Sequence, residues 1–258
     1  MRGDDIDGFW VKSSVARRSS LPGCLSSKVK ESRVRGTTQA VPSEVHYIWL
    51  YVTRDGVVES RETSNRSVLL LNDWLNIVDE SASLGAQWMV IHVETCLKSD
   101  SDIWRICAWA QEVYGIRVGL HLNNECMDEK GLSPILRLDR DATFVIIDRS
   151  AIKAMSFLKD KGYAVCESNI GPEDRELPCS HTESIVCACA DGVLFCCGMV
   201  VGDESYHLGD VKADTVHKAM CNHESISPIE ERTVKPGQSC DGCPPFMVQR
   251  FKEQQAID

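Results

Sequence analysis

No run of apolar residues here approaches the roughly 18 that a membrane span needs, so no transmembrane segment is expected. The opening residues, Met1-Arg2-Gly3-Asp4-Asp5, have no apolar h-region of the kind a secretory signal requires, and a cytoplasmic location is the expectation. Excess positive charge is also lacking. The formal net charge is −10, which argues against a non-specific grip on nucleic acid or an anionic membrane. There is no internal repeat. What remains is an ordinary globular composition, 43% hydrophobic and 26% charged, in a chain of 258 residues. That length can bury a full core, as one large domain or as a domain with a smaller appendage.

Cysteine is the residue in excess. Thirteen of them in a reducing compartment speak against a disulfide framework and for metal or redox chemistry. Charge is unevenly spread. Residues 1–42 carry eight Lys/Arg against four Asp/Glu, rich in Ser and poor in apolar periodicity, which reads as a basic mobile arm.

From Val45 the pattern changes to alternating strands and helices. His46 to Val52 is a short aromatic and β-branched run, typical of a buried strand. Asn72 is placed to cap a helix whose apolar face holds Trp74, Leu75, Ile77 and Val78, ending at Gly85. Trp88–Val93 is a second strand. Ser101 or Asp102 then opens a helix through Ile103, Ile106, Trp109 and Val113 to Gly115. A third strand runs over 116–122, an irregular stretch over 124–140, and a fourth strand over 143–147. A helix from Ala151 to Lys161 and a fifth strand from Tyr163 complete residues 43–165. Such alternation implies parallel βαβ units, and five strands predict a partial (β/α) barrel or an open parallel sheet.

Past Cys166 the alternation stops, and residues 166–258 read as a small cysteine-rich module of hairpin and helix. Two apolar runs between Glu183 and Met199 flank Ala190-Asp191-Gly192, a strong hairpin signal. A short helix is expected over 213–220. Cys240-x-x-Cys243 sits in a turn whose Gly242 permits tight geometry, so both thiolates can reach one metal or cluster. Two more cysteines from the stretch Cys179 to Cys197 would complete a four-sulfur set. Zinc and iron–sulfur clusters both accept such a set.

Cys179, the strand, Asp191-Gly192, Cys197, the segment Leu208-Gly209-Asp210-Val211, a helix and the closing Cys240-x-x-Cys243 resemble the SPASM/twitch auxiliary-cluster module of radical SAM enzymes. The resemblance covers about 65 residues. It implies one [4Fe–4S] cluster held by Cys179, Cys197, Cys240 and Cys243. Cys197, five residues after Gly192, fits that pattern better than Cys196. The α/β part is similar in outline to the radical SAM core, with two departures. Where the C-x-x-x-C-x-x-C motif should follow the first strand, Thr53 to Ser64 contain no cysteine. Where a G-G-E-P motif is expected, the sequence reads Val93-Glu94-Thr95-Cys96. The stretch 124–165 is also short for the family's later βα units. The resemblance therefore implies a degenerate relative that kept the auxiliary cluster and lost the catalytic one.

Other residues carry weaker expectations. Cys166 could replace Cys179 as a ligand, and Cys221 could substitute for one. Cys187 and Cys189 read first as buried small hydrophobes, with a ligand role or a second cluster as the sharper alternative, and Cys196, pointing opposite Cys197, reads as core. Cys107 reads as core packing, and Cys96 and Cys126 show no shared spacing. Cys24 could make a redox or partner contact. His92 and His121, on neighbouring strands, read as core histidines or as a metal or catalytic pair. Glu94 ends strand two, where barrel sites collect polar groups.

The functional expectation is an electron-transfer or accessory subunit, not catalytic by itself, working with a redox enzyme or a catalytic radical SAM protein. The alternatives are a radical SAM-type enzyme with atypical cluster ligands, or a binding module with a structural four-cysteine metal site, for example zinc.

Overall fold

The computed structural model describes residues 44–52, 68–93, 101–122, 129–147, 152–167, 182–222 and 243–255, all within one compact unit. Eight strands form a single sheet in the order β5-β4-β3-β2-β1-β6-β7-β8. β1 (Tyr47–Tyr51), β2 (Trp88–Val93), β3 (Arg117–Leu122), β4 (Thr143–Ile147) and β5 (Ala164–Glu167) are parallel neighbours, as the alternating pattern implies. The chain then returns to the other side of β1. There β6 (Ile185–Cys189) pairs parallel with β1 while β7 (Val193–Phe195) and β8 (His207–Asp210) follow antiparallel. The hairpin forms where the Asp191-Gly192 turn puts it, with Gly192 at φ 95°. It continues the parallel sheet across residues 165/166.

Consecutive strands stepping one way through right-handed crossovers place their connecting helices on one face of the sheet. α1 (Leu71–Ser83) and α2 (Asp102–Tyr114) pack against each other accordingly. Two details differ from the sequence reading. Asn72 lies inside the first turn of α1 and does not cap it. The Asp73 carboxylate reaches back to accept the Leu70 N–H at 2.8 Å, and the helix starts earlier, at Leu71. In α2, Ser101 is the cap and Gly115 closes the helix at φ 67°. Its buried stripe, however, is Ile103, Trp104, Ile106, Cys107 and Ala110; Trp109 and Val113 lie a step round the helix and are exposed.

The stretch expected to be irregular contains α3 (Glu129–Leu132) and two 3-10 turns, Ser133–Arg137 and Arg140–Ala142. Tyr163 fixes it by donating its hydroxyl to the Ile135 carbonyl at 2.6 Å. α4 (Ile152–Asp160) precedes β5, and α5 (Val216–Cys221) packs on β8 with Thr215 as its cap.

One further helix, α6 (Pro244–Gln255), begins directly after Cys243. Its Phe251 ring packs 5.1 Å from Phe144 and 5.8 Å from Trp88, two residues that register places on one face of the sheet. α6 thus covers the face carrying Tyr47, Trp49 and Tyr51. Phe251 and Met247 are fully buried there, each worth about 1.5–3 kcal/mol in removal from water. Among the described residues no helix is long and apolar enough to cross a membrane.

Candidate functional site

β1 alternates Tyr47, Trp49 and Tyr51 onto one face because side chains along a strand point to opposite sides in turn. Parallel register carries that face outward through Ile185, Cys187 and Cys189 on β6 and through Trp88, Val90 and His92 on β2. It continues into Gly119 and His121 on β3. Two groups of chemically active side chains stand on it.

The first is sulfur-rich. Cys187 and Cys189 lie side by side on β6, facing the same way. Cys196 and Cys197 follow β7 and come within electrostatic reach of Cys187. All four are buried. Burial pushes the Cys187 thiol well above its ordinary value, helped by the hydrogen bond and charge of Cys189 and then by Cys197 and Cys196. Cys197 is 4% exposed, and its Sγ accepts the Met199 N–H at 3.4 Å. The adjoining Gly198 lies so close over β1 that a Cβ there would stand 2.9 Å from the Trp49 ring and 2.7 Å from the Tyr51 hydroxyl. No side chain fits at that position.

Cys243 is 3% exposed at the head of α6, its carbonyl accepting the Met247 N–H at 3.0 Å. Its side chain is near enough to Tyr47 that, after burial, a charge on Cys243 is what raises the Tyr47 hydroxyl. Cys197 and Cys243 are thus both buried, Cys243 near Tyr47 and Cys197 next to the Gly198 that packs on Trp49 and Tyr51. Cys179 and Cys240, the other half of the expected set, lie outside the described residues, as do Cys24, Cys96, Cys126 and Glu94. Among the described residues, no three His, Cys, Asp or Glu side chains stand close enough together to hold a metal ion.

The donor chemistry fits a soft metal centre, since buried thiols are the ligands iron–sulfur clusters and zinc take. One atom beside them lacks what such a centre supplies. Among the described residues Trp49 Nε1–H is buried with no hydrogen-bond acceptor, a deficit of about 1–3 kcal/mol in an apolar setting. It is on the same face, in register with Cys187. Thiolate or sulfide sulfur is an acceptor of the kind this donor needs. The alternating aromatics of β1 were the signal in the sequence that could have pointed to it.

Cys166 is separated from this group. It lies on β5, four strands from β1, or roughly 19 Å along the sheet at about 4.8 Å per strand. Burial raises its thiol while Arg250 and Lys159 pull the other way, so its surroundings belong to the far edge. It is not positioned to replace Cys179 beside Cys197. Cys221 ends α5 and is half-buried. Cys107 is fully buried in α2 and packs as core, its thiol pushed up by burial.

The second group is the histidine pair. Register sets His92 and His121 abreast on β2 and β3, one residue before each strand ends, with Nδ1 to Nδ1 2.9 Å. Both are half-buried, and the Tyr51 ring lies 4.9 Å from His92. Burial, then the neighbouring His121, lowers His92 to about 3, so its imidazole is neutral at neutral pH. The carboxyl ends of parallel strands are where α/β folds gather their polar groups.

These residues define an α/β protein on one mainly parallel sheet, with a buried thiol group and a histidine pair on the same face. No family model matches the sequence, and no curated protein matches it. Among solved structures, the backbone is similar to that of Streptococcus suis SuiB bound to S-adenosylmethionine, with 8% sequence identity and a TM-score of 0.45. The match covers 69% of this chain and 66% of that one, so the chain spans just under two thirds of its length.

Proposed function

We propose that this chain is an iron–sulfur protein related to radical SAM enzymes, holding one [4Fe–4S] cluster with Cys179, Cys197, Cys240 and Cys243. It acts as an electron-transfer or accessory subunit to a redox enzyme or a catalytic radical SAM protein, and does not cleave S-adenosylmethionine. The observation that supports this reading is that Cys197 and Cys243, far apart in sequence, are both buried, Cys243 near Tyr47 and Cys197 next to the Gly198 that packs on Trp49 and Tyr51. The unsatisfied Trp49 Nε1–H also supports it, as a donor suited to sulfur.

When bound, the cluster would supply a one-electron couple. The chain's own residues would set its surroundings. Cys197 and Cys243 would offer thiolates from opposite ends of the module. The aromatic face of β1 would exclude water, and Trp49 would offer an N–H to sulfur, a contact that tunes cluster potentials. The lack of cysteine between Thr53 and Ser64 leaves S-adenosylmethionine without the family's catalytic ligands.

The test is anaerobic reduction of the purified protein with dithionite, with and without S-adenosylmethionine. A reversible one-electron change, with the methionine derivative recovered intact, is expected. Reductive cleavage would overturn the accessory role. Zinc without sulfide would replace the cluster by a structural four-cysteine site.

A further inference from the structure

We infer that His92 and His121 are a chelating pair for a divalent late transition-metal cation, a second site separate from the cysteines. The geometry argues for it directly. Metal–imidazole bonds run about 2.0–2.1 Å. Two nitrogens 2.9 Å apart then subtend about 90° at a cation bonded to both. That is the angle between adjacent ligands in square-planar or octahedral coordination, the preference of Cu(II) and Ni(II). Opening the pair by about 0.4 Å gives the tetrahedral angle that Zn(II) favours.

The backbone holds the pair in place. His92 and His121 are direct register partners between Ile91/Leu120 and Val93/Leu122, all buried, and the parallel ladder to either side fixes that register. The Tyr51 ring leans on His92 from the other side at 4.9 Å and limits its rotation. The imidazoles are half-buried at the carboxyl end of the strands. The Nδ1 to Nδ1 contact holds one proton in the metal-free protein, and that proton is released when the cation binds.

The site does not depend on the cluster reading, and its test leaves the cysteines out of the readout. Zn(II) is added to anaerobic, 15N-labelled full-length protein, and the imidazole nitrogens of the seven histidines are followed. One equivalent should shift the Nδ1 signals of two histidines, assigned by loss in His92→Gln and His121→Gln. Either variant should weaken zinc binding at these signals at least tenfold. Cys240→Ser should leave the two shifts intact, whatever it does to iron. Should these variants misfold, His92→Asn and His121→Asn supply the assignment. Shifts on other histidines, on none, or on Nε2 alone would overturn the inference.

Discussion

Phe144 fills the space where a side chain on Gly119 would stand. A Cβ on Gly119 would lie 2.5 Å from Phe144 Cζ. The ring cannot retreat, because Trp88 meets it edge-on at 5.8 Å and Phe251 of α6 lies 5.1 Å away. The missing side chain on β3 is therefore what lets α6 close over the sheet. Gly119→Ala should cost about 1–3 kcal/mol through overpacking, read as a lower urea midpoint. Gly115→Ala, where nothing lies within 4 Å, should cost only the strain of its positive φ.

Asp79 clips α1 to α2. It accepts the Trp109 indole N–H at 2.7 Å and bonds the Tyr114 hydroxyl. Tyr114 is pushed up to about 12, first by burial and then by that hydrogen bond and the charge of Asp79. A raised tyrosine value favours the neutral phenol in the fold. That contribution is present below about pH 10 and is lost as pH rises from 10 to 12. Asp79→Asn should bring Tyr114 back toward 10 in an ultraviolet titration, with a loss of about 1 kcal/mol of stability. An unchanged titration would show that Asp79 does not set it.

Glu80, one residue on, reaches a different partner. Its Oε2 accepts the Val216 N–H at 2.5 Å, satisfying an open donor at the start of α5. Glu80→Ala should therefore destabilise by about 1.5–3 kcal/mol, as loss of a charged acceptor does, and should raise amide exchange in 216–221. Glu80→Gln keeps an acceptor and should recover part of that loss.

The sequence made the parallel half of the fold readable because its signals are local. Ser101 and Gly115 bracket α2, and Trp88–Val93 is a run apolar on both sides, as a central parallel strand is. The Asp191-Gly192 turn likewise announces the β6–β7 hairpin. Nothing local says that the far edge of β6 pairs with β1, since that contact joins residues more than a hundred apart. The fully buried Ile185–Cys189 run was the available hint, as an edge strand seldom hides both faces. α6 was missed because Pro244-Pro245 reads as a turn. Proline is at home in the first turn of a helix, and Met247, Val248 and Phe251 supply the helical spacing.

The candidate site divides in the same way. Cys197 and Cys243 are picked out by motif spacing, whereas their burial depends on where the hairpin and α6 dock. His92 and His121 are visible as strand residues, but their 2.9 Å contact is a product of register. Cys166 shows the converse. Its place in the sequence made it a plausible ligand, and strand order puts it at the opposite edge of the sheet.

The central claim is that four particular sulfurs hold one cluster, and the direct measurement is iron and acid-labile sulfide per chain in a cysteine panel. In anaerobic wild-type protein the account gives about four of each. Cys179→Ser, Cys197→Ser, Cys240→Ser and Cys243→Ser should each lose most of both, while Cys166→Ser and Cys107→Ser retain them. Wild-type protein without iron and sulfide, or full retention in Cys197→Ser and Cys243→Ser, would contradict it.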